Sequence, residues 1–163
     1  MKLFIKRDTS TKLSGFNVFD ELARLKYTVH YKKSGSVTKL CIEDTNNCQL
    51  GVIRRIKVSG VCVYLISFKG KGSISTLINC NKDNFMCLLY GTNWRICGDI
   101  RTKNFSIIDV DKTAIAMQKR IFSNSTAAYE LNIKSKENEL AALAVAVCIN
   151  LINTVDNFAT QAV

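Results

Sequence analysis

At 163 residues, with 47% hydrophobic and 22% charged side chains, the chain has the size and composition of one globular domain. These values exclude an intrinsically disordered polypeptide, a collagen repeat and a polytopic membrane protein. The net charge of +10 falls almost wholly in the first half: residues 1–80 hold 14 Lys/Arg against 5 Asp/Glu, residues 81–163 hold 9 against 8, and residues 45–80 carry no acidic group. Such a balance suits a polyanionic partner (nucleic acid, anionic lipid headgroups or an acidic protein), with solubility as the alternative use of the charge.

The N-terminal Met1-Lys2-Leu3-Phe4-Ile5-Lys6-Arg7 lacks the apolar stretch of a signal peptide, and none of the seven cysteines forms a C-x-x-C pair. Reduced thiols, a cytoplasmic location with peripheral membrane attachment, and no metal or other cofactor are the expectations that follow. The longest apolar run, residues 140–149, falls well short of the roughly 20 residues of a bilayer span.

Along the chain, short segments with a period of two alternate with turn-forming clusters. Candidate strands start near Leu3, Phe16, Leu25, Val37, Leu50, Cys62, Ile74, Phe85, Trp94, Phe105, Ala114 and Ala128. Leu25, Tyr27, Val29 and Tyr31 fall on one face, with Lys26, Thr28, His30 and Lys32 on the other, which is the pattern of a half-buried strand. Asp44-Thr45-Asn46-Asn47, Lys69-Gly70-Lys71-Gly72 and Asn81-Lys82-Asp83-Asn84 mark turns between strands. Proline is absent from the chain, which is compatible with extensive strand pairing. Three hairpins share one plan: strands ending at Asp20, Asp44 and Asp109 lead through short turns to strands ending in Lys32-Lys33, Arg54-Arg55 and Lys119-Arg120. Each Asp is placed to accept hydrogen bonds from the following backbone amides.

The last element differs in kind. Ser135 is a candidate helix cap, Glu137 and Glu139 suit a first helical turn, and residues 140–152 are apolar apart from Asn150. A helix apolar all round must be buried all round, so Leu140, Leu143, Val145, Val147, Ile149 and Ile152 are expected inside the protein. About twelve strands closed into an antiparallel barrel around this helix satisfy both elements, leaving no room for a fatty acid. The expected organisation is a single domain over 1–163, with strands about 2–134, a central helix about 136–153 and a short tail 154–163.

Lys2-Leu3-Phe4-Ile5-Lys6, the hairpin from Phe16, and the run from Phe105 through Tyr129-Glu130-Leu131 into Glu139-Leu140-Ala141-Ala142-Leu143-Ala144 resemble the LURP-one-related proteins. Those proteins share the tubby-like C-terminal fold with tubby domains and phospholipid scramblases. The resemblance spans essentially the whole chain and implies a twelve-stranded barrel threaded by a hydrophobic C-terminal helix. It also implies, by analogy with tubby domains, phosphoinositide binding. The chain departs from the scramblases in having no Pro-rich N-terminal extension, no N-terminal cysteine cluster and a single carboxylate, Glu130, over residues 127–134.

Candidate sites are few. His30 is the one histidine and sits on a polar strand face without a partner motif, so an exposed strand histidine is expected and no catalytic residue is assigned. Asp109-Val110-Asp111 opens like a calcium loop, but Ala114 and Arg120 occupy its glycine and bidentate-glutamate positions. The remaining candidates are the cations Lys32, Lys33, Arg54, Arg55, Lys57, Lys119 and Arg120, where one member of each adjacent pair faces outward. The expected function is therefore non-enzymatic binding or scaffolding on an anionic membrane surface or phosphoinositide-like headgroup. A nucleic-acid-binding or protein-interaction module and an enzyme with an unrecognised site are the alternatives.

Overall fold

The computed structural model describes residues 1–10, 15–34, 37–58, 61–70, 72–81, 84–122 and 127–152. The expected tail 154–163, the last expected helical residue Asn153, and the side chains of Lys57 and Cys80 lie outside the described residues. Twelve strands are followed by one helix: β1 (Lys2–Arg7), β2 (Phe16–Phe19), β3 (Leu25–Ser34), β4 (Val37–Asp44), β5 (Gln49–Val58), β6 (Val61–Phe68), β7 (Ser73–Asn81), β8 (Asn84–Tyr90), β9 (Arg95–Asp99), β10 (Asn104–Ile108), β11 (Ala114–Phe122), β12 (Ala127–Ile133) and α1 (Glu139–Asn150). Every strand begins within one residue of its expected start.

The strands form one antiparallel sheet in the order β8-β7-β6-β5-β4-β3-β2-β1-β12-β11-β10-β9. Its one long-range junction is β1 on β12, with Leu3 opposite Leu131 and Ile5 opposite Tyr129; the Met1 amino group donates to the Ile133 carbonyl at 3.1 Å. The sheet wraps α1 into a nearly closed barrel.

The three hairpins with a shared plan have one turn geometry. The Asp20 amide donates to the Arg24 carbonyl and the Ala23 amide to the Asp20 carbonyl; Asp44 with Cys48 and Asn47, and Asp109 with Thr113 and Lys112, repeat both bonds. The Asp carboxylate accepts from the amides of Leu22 and Arg24, of Asn46 and Cys48, and of Val110 respectively. The fourth turn residue is left-handed in each, Ala23 at φ 58°, Asn47 at 59° and Lys112 at 69°, and the ladder slips at Val18/Phe19, Ile42/Glu43 and Ile107/Ile108. This is a turn followed by a bulge, which adds right-handed twist to a sheet that must curl. The bulge also moves Leu25 off the expected apolar face: it is 42% exposed. Because exposed Ala23 carries a β-carbon in a conformation that favours glycine, Ala23→Gly should raise stability by about 0.5–1 kcal/mol, seen as a higher Tm.

The helix is placed by its apolarity and fastened at both ends. Leu143, Val145, Val147 and Ile149 are 0% exposed and Ile152 5%, whereas Leu140 in the first turn is half-buried. Ser135 makes no side-chain cap; it precedes a 3-10 turn, Lys136–Asn138, and α1 begins only at Glu139. The first turn is held by the Glu139 carboxylate, which accepts from the Tyr27 hydroxyl at 2.9 Å and pairs with Lys26. At the other end Asn150 and Gln118 exchange two amide hydrogen bonds at 2.9 and 3.0 Å. Gln118 also donates to the Lys103 carbonyl, and buried Lys103 donates its ammonium to the Ile149 carbonyl at 2.8 Å, where the helix dipole favours a cation.

Candidate functional site

An antiparallel run of hairpins sends alternate connections to opposite ends of the barrel. The N-terminus of α1 lies at the end that carries the turns of Asp20, Asp44 and Asp109; its C-terminus lies at the other end, here called the mouth. The ends of β1, β3, β5 and β11 and the starts of β2, β10 and β12 form this mouth. Arg7, Lys33, Arg55 and Arg120 therefore gather there from strands remote in sequence, together with Arg101 and Lys103 of the turn between β9 and β10. The excess of positive charge is sorted by barrel end, where the sequence showed it only as a property of the first half.

Each basic pair is split by the pleat, as expected. Arg120 lies opposite Tyr129, and Arg7 opposite Phe16, on inward-facing rows. Together with Lys103, Ala127 and Asn150 they line a cavity of about 180 Å³. Burial pushes the Tyr129 phenol up, and the guanidinium groups of Arg120 and Arg7 oppose that rise. Arg55 points inward beside Tyr31 and Tyr64 and donates to the Cys62 sulfur at 3.3 Å. Among the described residues the buried side-chain atoms without a hydrogen-bond partner are Arg55 Nε, Tyr64 Oη and Thr76 Oγ1. These residues are direct neighbours across β5, β6 and β7, so the polar lining extends inward from the mouth. Lys33 follows Tyr31 on its inward row and is exposed at the rim.

The outward members divide. Lys32, Lys39 and Arg54 stand in one cross-strand row over β3, β4 and β5. Lys32 pairs with Glu43, which is 4% exposed beneath it, and His30 Nε2 lies 3.6 Å from the same carboxylate. Lys119 lies opposite Glu130 on β12, far from this row, so the outward cations of all three hairpins do not form a common patch. Next to the row, on the outer face of β5 to β8, Ile56, Val63, Leu77 and Leu88 form a second register row. Ile56 is 45% exposed, Leu88 37% and neighbouring Met86 40%. The sequence missed this apolar row because no single strand shows which of its faces is left uncovered; pairing does.

The expectation of no cavity between helix and barrel meets two qualifications: the polar mouth cavity of about 180 Å³ reaches Asn150 of α1, and a larger one of about 550 Å³ lies at the seam between β8 and β9, without a lining residue from α1. Among the described residues no group of His, Cys, Asp and Glu is arranged to hold a metal, and no helix is long and apolar enough to cross a membrane. Cys41, Cys62 and Cys148 are buried, and Cys48 and Cys97 exposed. Burial pushes the Cys87 thiol up to about 12 and raises that of Cys148 also. Iodoacetamide at pH 8 should accordingly modify Cys48 and Cys97 first, by mass spectrometry, and leave Cys87 and Cys148 intact until the protein unfolds.

The profile of the LURP-one-related (LOR) family matches residues 1–151. The chain belongs to the LURP-one-related family. It is similar to the uncharacterized protein YxjI of Bacillus subtilis (strain 168), with 23% identity over 154 residues, 93% of each chain. An X-ray structure of a protein from Arabidopsis thaliana, AT5G01750, has the same fold at a TM-score of 0.57 and 13% identity, over 93% of this chain and 91% of that one. The expected family and the expected barrel with one C-terminal helix are thus both found.

Proposed function

We propose that this LURP-one-related protein is a non-catalytic binding protein that sets the mouth end of its barrel against an anionic phospholipid surface. The observation that carries this reading is the meeting, on the outer wall beside the mouth, of the cations of β3 to β5 with the exposed apolar row that begins at Ile56 and crosses β5 to β8. Cations attract anionic headgroups, and apolar side chains beside them enter the interfacial layer. The cavity lined by Arg7, Lys103 and Arg120 supplies donors for a phosphorylated headgroup. Nucleic acid fits less well, since binders of single strands expose aromatic platforms among their basic groups, whereas Tyr27 and Tyr31 face inward and Tyr27 holds Glu139.

Co-sedimentation with phosphatidylcholine vesicles, with and without phosphatidylserine, at several salt concentrations tests the reading. Wild type should bind the anionic vesicles alone, and steeply less as salt rises. Arg55 is a poor residue to alter because it is packed between Tyr31 and Tyr64, so the informative variant combines Lys33→Gln, Lys39→Gln and Arg54→Gln. At about 1 kcal/mol per cation near the membrane, it should bind roughly 100-fold more weakly with an unchanged Tm. Absence of binding at low salt removes the proposal, and stronger retention on a single-stranded oligonucleotide replaces it with the nucleic-acid reading.

A further inference from the structure

In this sheet one consecutive pair of strands lacks a ladder. β8 and β9 are joined by residues 91–94, yet they are the two ends of the strand order, and among the described residues neither has a second partner. β8 is drawn to β7 and β9 to β10, so the two strands part from their connection. Gly91, at φ 81°, fixes the start of that connection: a β-carbon there would lie 2.5 Å from the Ser73 carbonyl oxygen. The chain leaves β8 pressed against β7 instead of doubling back as a tight hairpin.

The cavity of about 550 Å³ occupies this seam, with Cys87, Leu89, Trp94, Ile96 and Ile100 on its wall and Arg95 as its one charged lining residue. Its apolar side chains suggest a hydrocarbon ligand, but its margins argue otherwise. Each edge strand presents a row of main-chain N–H and C=O groups without a ladder partner. A hydrocarbon would bury those groups unsatisfied, whereas an extended polypeptide pairs with them as the missing strand.

We propose that the seam between β8 and β9 is a strand-addition site for an extended segment of a partner polypeptide, apolar at alternate positions and carrying a carboxylate that meets Arg95. β8 spans 7 residues and β9 spans 5, which sets the length of the segment. On β8, Cys87 and Leu89 are half-buried while Met86, Leu88 and Tyr90 are 40%, 37% and 53% exposed. Both faces of an added strand would therefore meet apolar side chains. The inference stands on the strand edges and Arg95, and is independent of attachment to vesicles.

The test uses the full chain and a displayed library of seven-residue segments with alternating β-branched residues and one glutamate at varied positions. Selected peptides should slow amide exchange in residues 86–90 and 95–99 and leave β3 to β5 unchanged. Arg95 is exposed, so Arg95→Glu should fold normally, bind those peptides about tenfold or more weakly, and favour the same peptides with lysine in place of glutamate. Arg95→Gln should fall between the two. A library without binders, protection elsewhere, or indifference to the charge of residue 95 overturns the proposal. So does displacement of the peptide by dodecanoate, which marks a hydrocarbon site, or concentration-dependent self-association that protects β8 and β9 in the chain alone.

Discussion

Leu143→Asp is expected to leave no soluble, cooperatively folding protein. Leu143 is 0% exposed, as is every residue around it from Ala142 to Ile149. An unpaired carboxylate at this depth costs several kcal/mol, comparable with the whole stability of about 5–15 kcal/mol of an ordinary domain. Val147→Asp should behave alike. Leu143→Ala, which removes bulk without adding charge, should fold with a loss of about 2–5 kcal/mol. Leu140→Asp should be milder, since Leu140 is half-buried and the first helical turn favours an anion. Soluble yield, far-UV circular dichroism and urea titration distinguish these outcomes. A Leu143→Asp protein with a wild-type urea midpoint would show that the helix does not fill the barrel.

The second large effect concerns the polar fastening at the far end of the same helix. Gln118 is 1% exposed and Asn150 3%, and the two amides satisfy each other, with the Lys103 carbonyl as third partner. Gln118→Leu strands the Asn150 amide and should cost about 1–3 kcal/mol. Asn150→Leu strands Gln118 and should cost a similar amount. The double variant removes both halves, so its loss should fall short of the sum by about 1 kcal/mol or more. Strictly additive losses in urea titrations would mean that the two residues act independently and that the helix end is held by Lys103 alone.

The two predictions differ in how far the sequence could anticipate them. The burial of α1 was legible because a run such as Ala142-Leu143-Ala144-Val145-Ala146-Val147 has no polar face to offer water. The strands were legible for the same local reason, since period-two alternation and turn chemistry act over a few residues. The shared turn of Asp20, Asp44 and Asp109 is likewise a property of neighbouring residues. The start of the helix was less so: Ser135 has the chemistry of a cap, but the pairing of Glu139 with Lys26 and Tyr27 decides where α1 begins. Those partners are more than a hundred residues away, beyond the reach of any local pattern.

The candidate sites lie almost wholly on that non-local side. The sequence determined that cations close the hairpin strands and that adjacent cations point opposite ways. Only strand order decided that Arg7, Lys103 and Arg120 share a cavity, and that Lys119 stands apart opposite Glu130. The apolar row Ile56–Val63–Leu77–Leu88 exists only in the register of four strands. The seam needs the whole topology, because β8 and β9 are neighbours in sequence and resemble any other hairpin until the order of the sheet leaves them as its two ends. Side-chain chemistry and short-range periodicity fix what each segment must become, while the meeting of segments is set by how one sheet of twelve strands bends around a helix that has to be buried.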